Sequence, residues 1–198
     1  MNTANKLTIL RILLIPLFIA ALLLAHWWDA FQPYSHWVAA LIFLAAAITD
    51  ILDGNYARKH NVVTDFGKLM DPIADKLLVV AAFVMLSCTT DACHPRWLLH
   101  PVVTILFIAR EFLISGVRQI AAAKGVVIAA ARLGKFKTLF QDIVVMSLLL
   151  YDEFPFCYLN PYLRILVEIL VYVALALSVV SAVEYIVKNK GVLNLRDC

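Results

Sequence analysis

Four aspartates are the residues of this sequence best placed to do chemistry. They stand in Asp50-Ile-Leu-Asp53-Gly54-Asn-Tyr-Ala57-Arg58, followed after eight residues by Gly67-Lys-Leu-Met-Asp71-Pro-Ile-Ala-Asp75. Asp50 and Asp53 are three apart, and Asp71 and Asp75 are four apart. On a helix either spacing puts both side chains on one face. Two helical segments that each offer a carboxylate pair can meet around an all-oxygen pocket, the donor set that hard divalent cations take. Gly54 and Gly67 remove side chains where a ligand must come close to the backbone. Arg58 supplies a guanidinium suited to a phosphate. The bland reading of each acid is a solvated loop carboxylate or a helix cap. For Asp71 it is concrete, because Asp at the N-cap followed by Pro72 at the first helical position is a common helix start. Asp71 can serve in both ways.

The elements that position these acids belong to a membrane protein. The chain has 198 residues, 63% hydrophobic and 16% charged, with a mean hydropathy of +0.87; a soluble domain carries about 25% charged residues. That length suits one helical bundle, read as a single domain over residues 1–198. The net charge of +3 is too small to argue for nucleic acid. Six apolar segments can be drawn, at Leu7–Ala25, Trp37–Leu52, Asp75–Cys88, Leu98–Ala121, Phe136–Leu150 and Leu163–Val187. A full span needs about 20 residues. The second, third and fifth are short, so their helices are expected to continue into polar sequence. The second then runs through Asp50 and Asp53, and the third begins near Asp71. Helix is required because backbone groups in lipid must be satisfied within the segment.

The fold class is therefore all-α, an integral membrane bundle of six transmembrane helices. With the N-terminus inside, every Lys and Arg except Arg96, Arg110 and Arg164 falls on or near the cytoplasmic side. This positive-inside bias puts both termini and the aspartate stretch, hence the active site, at the cytoplasmic face. Arg11 interrupts the first apolar run and no clear small-residue cleavage site follows, so the run reads as a retained helix rather than a signal peptide. Residues 26–36 carry Trp27, Trp28, Phe31 and Tyr34, which suit the headgroup zone as anchors.

Other polar residues add to the site. Asn5, Thr8 and Arg11 form one polar stripe at helical spacing, either an interfacial anchor or a face turned to the ligand. Arg110 and Glu111 lie inside the fourth span, where charges turn to a bundle interior or cavity; Arg110 either pairs with an acid or serves the site. Arg118 follows about two turns later. With Lys135 and Lys137, these residues outline a basic pocket beside the acidic one, as a phosphate-bearing substrate would require. The bland reading of the loop lysines, favoured for Lys124 and Arg132, is orientation and contact with anionic lipid. Arg164 and Glu168, four apart, are expected to pair. Cys88, Cys93 and Cys157 fall in loops placed outside the cytoplasm, where a disulfide and unpaired thiols both remain open. The five histidines are scattered without ligand spacing.

The stretch from Asp50 to Asp75 resembles the signature of the CDP-alcohol phosphatidyltransferase family, D-x-x-D-G-x-x-A-R-x8-G-x-x-x-D-x-x-x-D, with all eight fixed residues in place. Asn5-Lys-Leu-Thr8-Ile-Leu-Arg11, Ala109 to Arg118 and Leu133 to Gln141 resemble the branch that uses glycerol 3-phosphate. The resemblance implies a six-helix bacterial inner-membrane enzyme, usually homodimeric, dependent on Mg2+ or Mn2+ as two ions. It implies that Asp50, Asp53, Asp71 and Asp75 hold the metals and that Asp75 is the general base. It implies a CDP site lined by Asp53, Gly54, Ala57, Arg58, Gly67 and Asp71, with Asn5, Thr8 and Arg11 facing the nucleotide. The donor is then CDP-diacylglycerol. Arg110, Arg118, Lys135 and Lys137 would bind the phosphate of glycerol 3-phosphate, and the products would be phosphatidylglycerol phosphate and CMP. Serine, inositol phosphate or phosphatidylglycerol as acceptor would keep the same aspartates. A cation or proton transporter would instead need acids near the bilayer midplane in several spans, whereas these cluster at one face.

Overall fold

A computed structural model describes the backbone of residues 3–28, 30–60, 65–90, 97–123, 132–153 and 161–189. Side chains are described within these segments at 9–25, 27–28, 30–49, 76–90, 97–122, 134, 136–151 and 162–189. Among the described residues six α-helices follow one another: α1 Thr3–Trp27, α2 Ser35–His60, α3 Asp65–Cys88, α4 Pro101–Ala123, α5 Arg132–Glu153 and α6 Pro161–Lys188. A single 3-10 turn, Gln32–Tyr34, joins α1 to α2. No strand is present among the described residues; one isolated bridge, Thr90 to Trp97, accompanies the connection from α3 to α4. Five of the six apolar segments lie wholly in these helices, which are longer than the apolar runs because polar residues continue the backbone pattern at their ends; the fourth, read from Leu98, becomes helical only at Pro101, where proline suits the first turn.

The helices make one connected bundle. α1 packs along α2 and α3, α2 meets α5, and α6 lies against both α4 and α5, while α3 touches α4 and α5. The buried interior is apolar and contains Phe18, Phe43, Phe83, Phe107, Leu86 and Leu148. Phe83 of α3 stacks on Phe107 of α4 with ring centroids 4.6 Å apart, and the Thr104 hydroxyl donates to the Phe83 carbonyl at 3.3 Å. Phe18 and Phe43 join α1 to α2 at 6.2 Å. Small Ala39, Ala40 and Ala46, all buried, line the interior face of α2.

The outside is also apolar. Leu13 and Leu17 on α1, Leu41 on α2, Ile105 and Phe112 on α4, and Leu166 and Val180 on α6 are all exposed. A soluble monomer rarely shows contiguous apolar surface on this scale, and the arrangement is compatible with a helical membrane bundle. Among the described residues one stretch, Tyr162–Lys188, is long and apolar enough to cross a bilayer by length and composition; Ile9–Ala25 and Lys76–Cys88 are shorter apolar helices. Trp27 and Trp28 at the end of α1, and Tyr34 in the 3-10 turn, are exposed as expected of anchors, with Trp28 stacked on Phe31 at 6.5 Å.

The start of the third helix needs correcting. α3 begins at Asp65, six residues before Asp71, so Asp71 is not its N-cap and Pro72 is not at its first position. Proline costs an interior helix one donor, but a single gap is tolerated where neighbouring groups re-satisfy the freed carbonyl. The second helix does run through Asp50 and Asp53. Cys88 is a free, exposed thiol; Cys93, Cys157 and Cys198 lie outside the described residues.

The aromatic stack buries Phe83 of α3 against Phe107 of α4. Phe107→Ala is expected to cost about 3–5 kcal/mol and to lower the melting temperature of the purified protein in detergent. An unchanged melting temperature would mean that the stack does not hold these helices together.

Candidate active site

The site is built where α3, α4, α5 and α6 meet beside the aspartate stretch. The helical backbone of α2 carries Asp50, Asp53, Gly54, Ala57 and Arg58, and that of α3 carries Gly67, Asp71 and Asp75. The side chains of these residues, and those of Asn5, Thr8 and Lys135, lie outside the described residues. The two helical carboxylate spacings are therefore realised in the backbone. No cluster of three or more His, Cys, Asp or Glu side chains that could hold a metal occurs among the described residues.

Next to this stretch lies a cavity of about 340 Å³. Lys76, which follows Asp75 directly, is in its wall, so the cavity borders the end of the aspartate motif. Arg11 enters from α1, Arg110, Glu111 and Arg118 from α4, Lys137 and Asp142 from α5, and Tyr185 from α6. Among the described residues the lining sets five cationic side chains (Arg11, Lys76, Arg110, Arg118 and Lys137) against two carboxylates (Glu111 and Asp142). Such a wall in a low-dielectric bundle favours an anionic ligand.

The basic residues read from the sequence have separate duties. Arg110 ties α4 to α6: its Nε donates to the Ser178 carbonyl at 3.3 Å and an Nη donates to Ser181 Oγ at 2.9 Å. Its other Nη bonds Glu111 Oε1 at 3.3 Å. The pairing reading of Arg110 is thus realised, within a residue that also lines the cavity. The Lys137 ammonium pairs with the same Glu111 oxygen, and its side chain is only 3% exposed. One carboxylate therefore neutralises cations from two helices, and burial is tolerated because each charge is met. Arg118 is the most exposed of the three; its Nε donates to the Tyr185 hydroxyl at 3.4 Å and its guanidinium lies 5.5 Å from that ring's centre. This leaves most of its fork available to a phosphate.

Sequence reading missed several members of this wall. Lys76 donates to the Ser115 hydroxyl, which itself donates to the Glu111 carbonyl at 2.6 Å, so α3 is joined to α4 at the site. Ser181 and Tyr185 come from α6, where sequence reading takes up only charged residues. Their signal was present: polar positions three or four apart in an otherwise apolar helix mark one inward face. Far from this site, Arg164 and Glu168 do pair, at 3.0 Å.

Taken with the signature, the arrangement defines a class. A family model for CDP-alcohol phosphatidyltransferase matches residues 1–180, and the chain belongs to that family. Over 200 residues it is 40% identical to the CDP-diacylglycerol–glycerol-3-phosphate 3-phosphatidyltransferase of Bacillus subtilis (strain 168), covering 95% of each chain. A protein of the same name from Haemophilus influenzae is 37% identical over 194 residues, covering 97% of this chain and 95% of the relative. One from Escherichia coli (strain K12) is 39% identical over 150 residues, covering 75% and 76%.

Glu111 is the shared counter-ion, so its loss should be felt on three helices. Glu111→Ala leaves the largely buried Lys137 and Arg110 without this acid, at a cost of about 3–5 kcal/mol. Adding Lys137→Met is expected to recover part of it, as read by melting in detergent. A Glu111→Ala protein as stable as the wild type would show that water already screens the pair.

Proposed function

We propose that this protein transfers the phosphatidyl group from CDP-diacylglycerol to glycerol 3-phosphate, giving phosphatidylglycerol phosphate and CMP. The observation that carries the reading is the cationic cavity whose wall includes Lys76, the residue that follows Asp75. A lipid-borne donor reaches the aspartate stretch, and an anionic, water-soluble acceptor is held next to it. The names of relatives that match over nine-tenths of this chain support the same reaction. Serine has no phosphate to meet the cationic side chains that the described wall presents, so the cavity favours a phosphorylated acceptor.

The donor's pyrophosphate is negative and four bare carboxylates would repel it. Asp50, Asp53, Asp71 and Asp75 therefore fit divalent cations, Mg2+ or Mn2+ as two ions, which hard oxygen donors suit. When bound, such ions offset the charge of the pyrophosphate and of the oxygens that develop charge during transfer. The protein's own groups do the rest. Gly54, Ala57 and Gly67 let the CDP approach the backbone, and Arg58 meets its phosphate. Asn5, Thr8 and Arg11 face the nucleotide. Arg118, with Lys135, binds the acceptor phosphate, while Arg110 and Lys137 hold the positive wall in place. Asp75 takes the proton of the acceptor hydroxyl as that oxygen attacks the β-phosphorus of CDP-diacylglycerol; the bond to CMP breaks and CMP leaves with its electron pair. Proton transfer of this kind contributes about 10²–10⁴-fold.

The whole chain is one membrane domain of six spans with both termini in the cytoplasm. The active site lies at the cytoplasmic face of the bacterial inner membrane, where soluble acceptor and lipid donor meet. The chain works as a homodimer.

The direct test is CMP release by the purified protein with CDP-diacylglycerol, Mg2+ or Mn2+, and one acceptor at a time. Release with glycerol 3-phosphate is expected, together with its loss on chelation by EDTA. Release only with serine, inositol phosphate or phosphatidylglycerol would overturn the acceptor. Asp75→Asn is expected to lower turnover at least about 100-fold while the protein stays folded; turnover near that of the wild type would remove Asp75 as base. Arg118→Ala is expected to raise KM for glycerol 3-phosphate about tenfold or more and to leave KM for the lipid donor nearly unchanged. An equal rise in both would place Arg118 outside the acceptor's phosphate site.

A further inference from the structure

Among the described residues of the cavity wall, Gln141 carries a polar atom that no ion pair or interhelical bond engages. Gln141 lies on α5 one turn beyond Lys137, is 1% exposed and lines the cavity, yet its Nε2 has no hydrogen-bond partner among the described residues. An amide kept from water without a partner is unfavourable unless a ligand completes it. Its neighbours differ: Lys137 is held by Glu111, and the Thr138 hydroxyl donates to the Gly134 carbonyl at 3.0 Å.

The chemistry of the amide narrows what completes it. A phosphate is an acceptor only, and the cationic side chains of the wall serve it better. A carboxamide offers a donor and an acceptor without charge, which matches a hydroxyl. Four residues of helix rise about 6 Å, so Gln141 stands about that far along α5 from Lys137, and both line the cavity that Arg118 also lines.

We infer that Gln141 is a specificity-determining residue of the acceptor pocket, its side-chain amide hydrogen-bonding the acceptor hydroxyl that does not react, the one on C2 of glycerol 3-phosphate. The inference rests on the glycerol 3-phosphate reading above. Gln141 takes part in no bond made or broken. It discriminates, because a site built to pair a hydroxyl leaves its own buried group unmet when that hydroxyl is missing.

The test compares two acceptors with the full-length protein in detergent, supplied with CDP-diacylglycerol and Mg2+. One is glycerol 3-phosphate and the other is 3-hydroxypropyl phosphate, which lacks the C2 hydroxyl. Wild-type protein is expected to favour glycerol 3-phosphate by about tenfold or more in kcat/KM. Gln141→Met, of similar length and apolar, is expected to bring that ratio close to one, with the loss falling on glycerol 3-phosphate. Its melting temperature should match or exceed that of the wild type, because an unpartnered buried amide has been removed. A wild-type ratio near one, or a ratio preserved in Gln141→Met, overturns the inference. If Gln141→Met fails to fold, Gln141→Ala carries the same comparison. Wild-type protein that releases CMP with another acceptor, and with neither of these two, brings down the glycerol 3-phosphate reading itself.

Discussion

The meeting of Lys137, Glu111 and Arg110 is the contact on which the site depends. Three charges from two helices share the interior of a bundle whose surface is oil. Taking any of them out of water singly would cost several kcal/mol. Together they are tolerable, because one carboxylate lies against two cations. Arg110 then extends the contact to a third helix through the Ser178 carbonyl and the Ser181 hydroxyl. Such contacts are directional where apolar packing is not, so they fix how α4, α5 and α6 sit against one another. Lys137, Glu111 and Arg110 also line the cavity.

The rest of the bundle makes this possible by being apolar inside and out. Stacked Phe83 and Phe107, and Phe18 against Phe43, fill the interior. Leucines, isoleucines and valines face outward on every helix. On the proposed reading the two surfaces serve one purpose: lipid carries the donor laterally to the aspartate stretch, and the polar cavity receives the acceptor from water. The cationic wall of the cavity includes Lys76, the residue that directly follows the last aspartate of the motif. Wall and motif suit different partners, the wall an anion and the motif a cation.

The sequence made the six helices legible because length and apolarity set them, and lipid leaves the backbone no alternative to helix. It was less reliable at their ends. Asp71-Pro72 has the form of a helix start, yet α3 begins at Asp65; local cap chemistry is a weak preference that a continuing helix overrides. The basic residues Arg110, Arg118 and Lys137 were readable as a group because charge inside an apolar run has few places to go. Their individual duties were not readable. Whether an arginine meets an acid, a carbonyl or a ligand depends on a neighbour that comes from another helix.

The sequence by itself determined the helical class and the aspartate signature with its two helical spacings, because both follow from periodicity and residue type along one chain. It also determined the cationic supply near that signature. Only the tertiary structure decided that Lys76, Ser115, Ser181, Tyr185 and Gln141 belong to the same wall as Arg118. These residues come from α3, α4, α5 and α6, up to 109 positions apart along the chain from Lys76 to Tyr185 (185 − 76). Interhelical contacts of that kind are set by packing and by the matching of buried polar groups, and neither quantity is a property of any one segment.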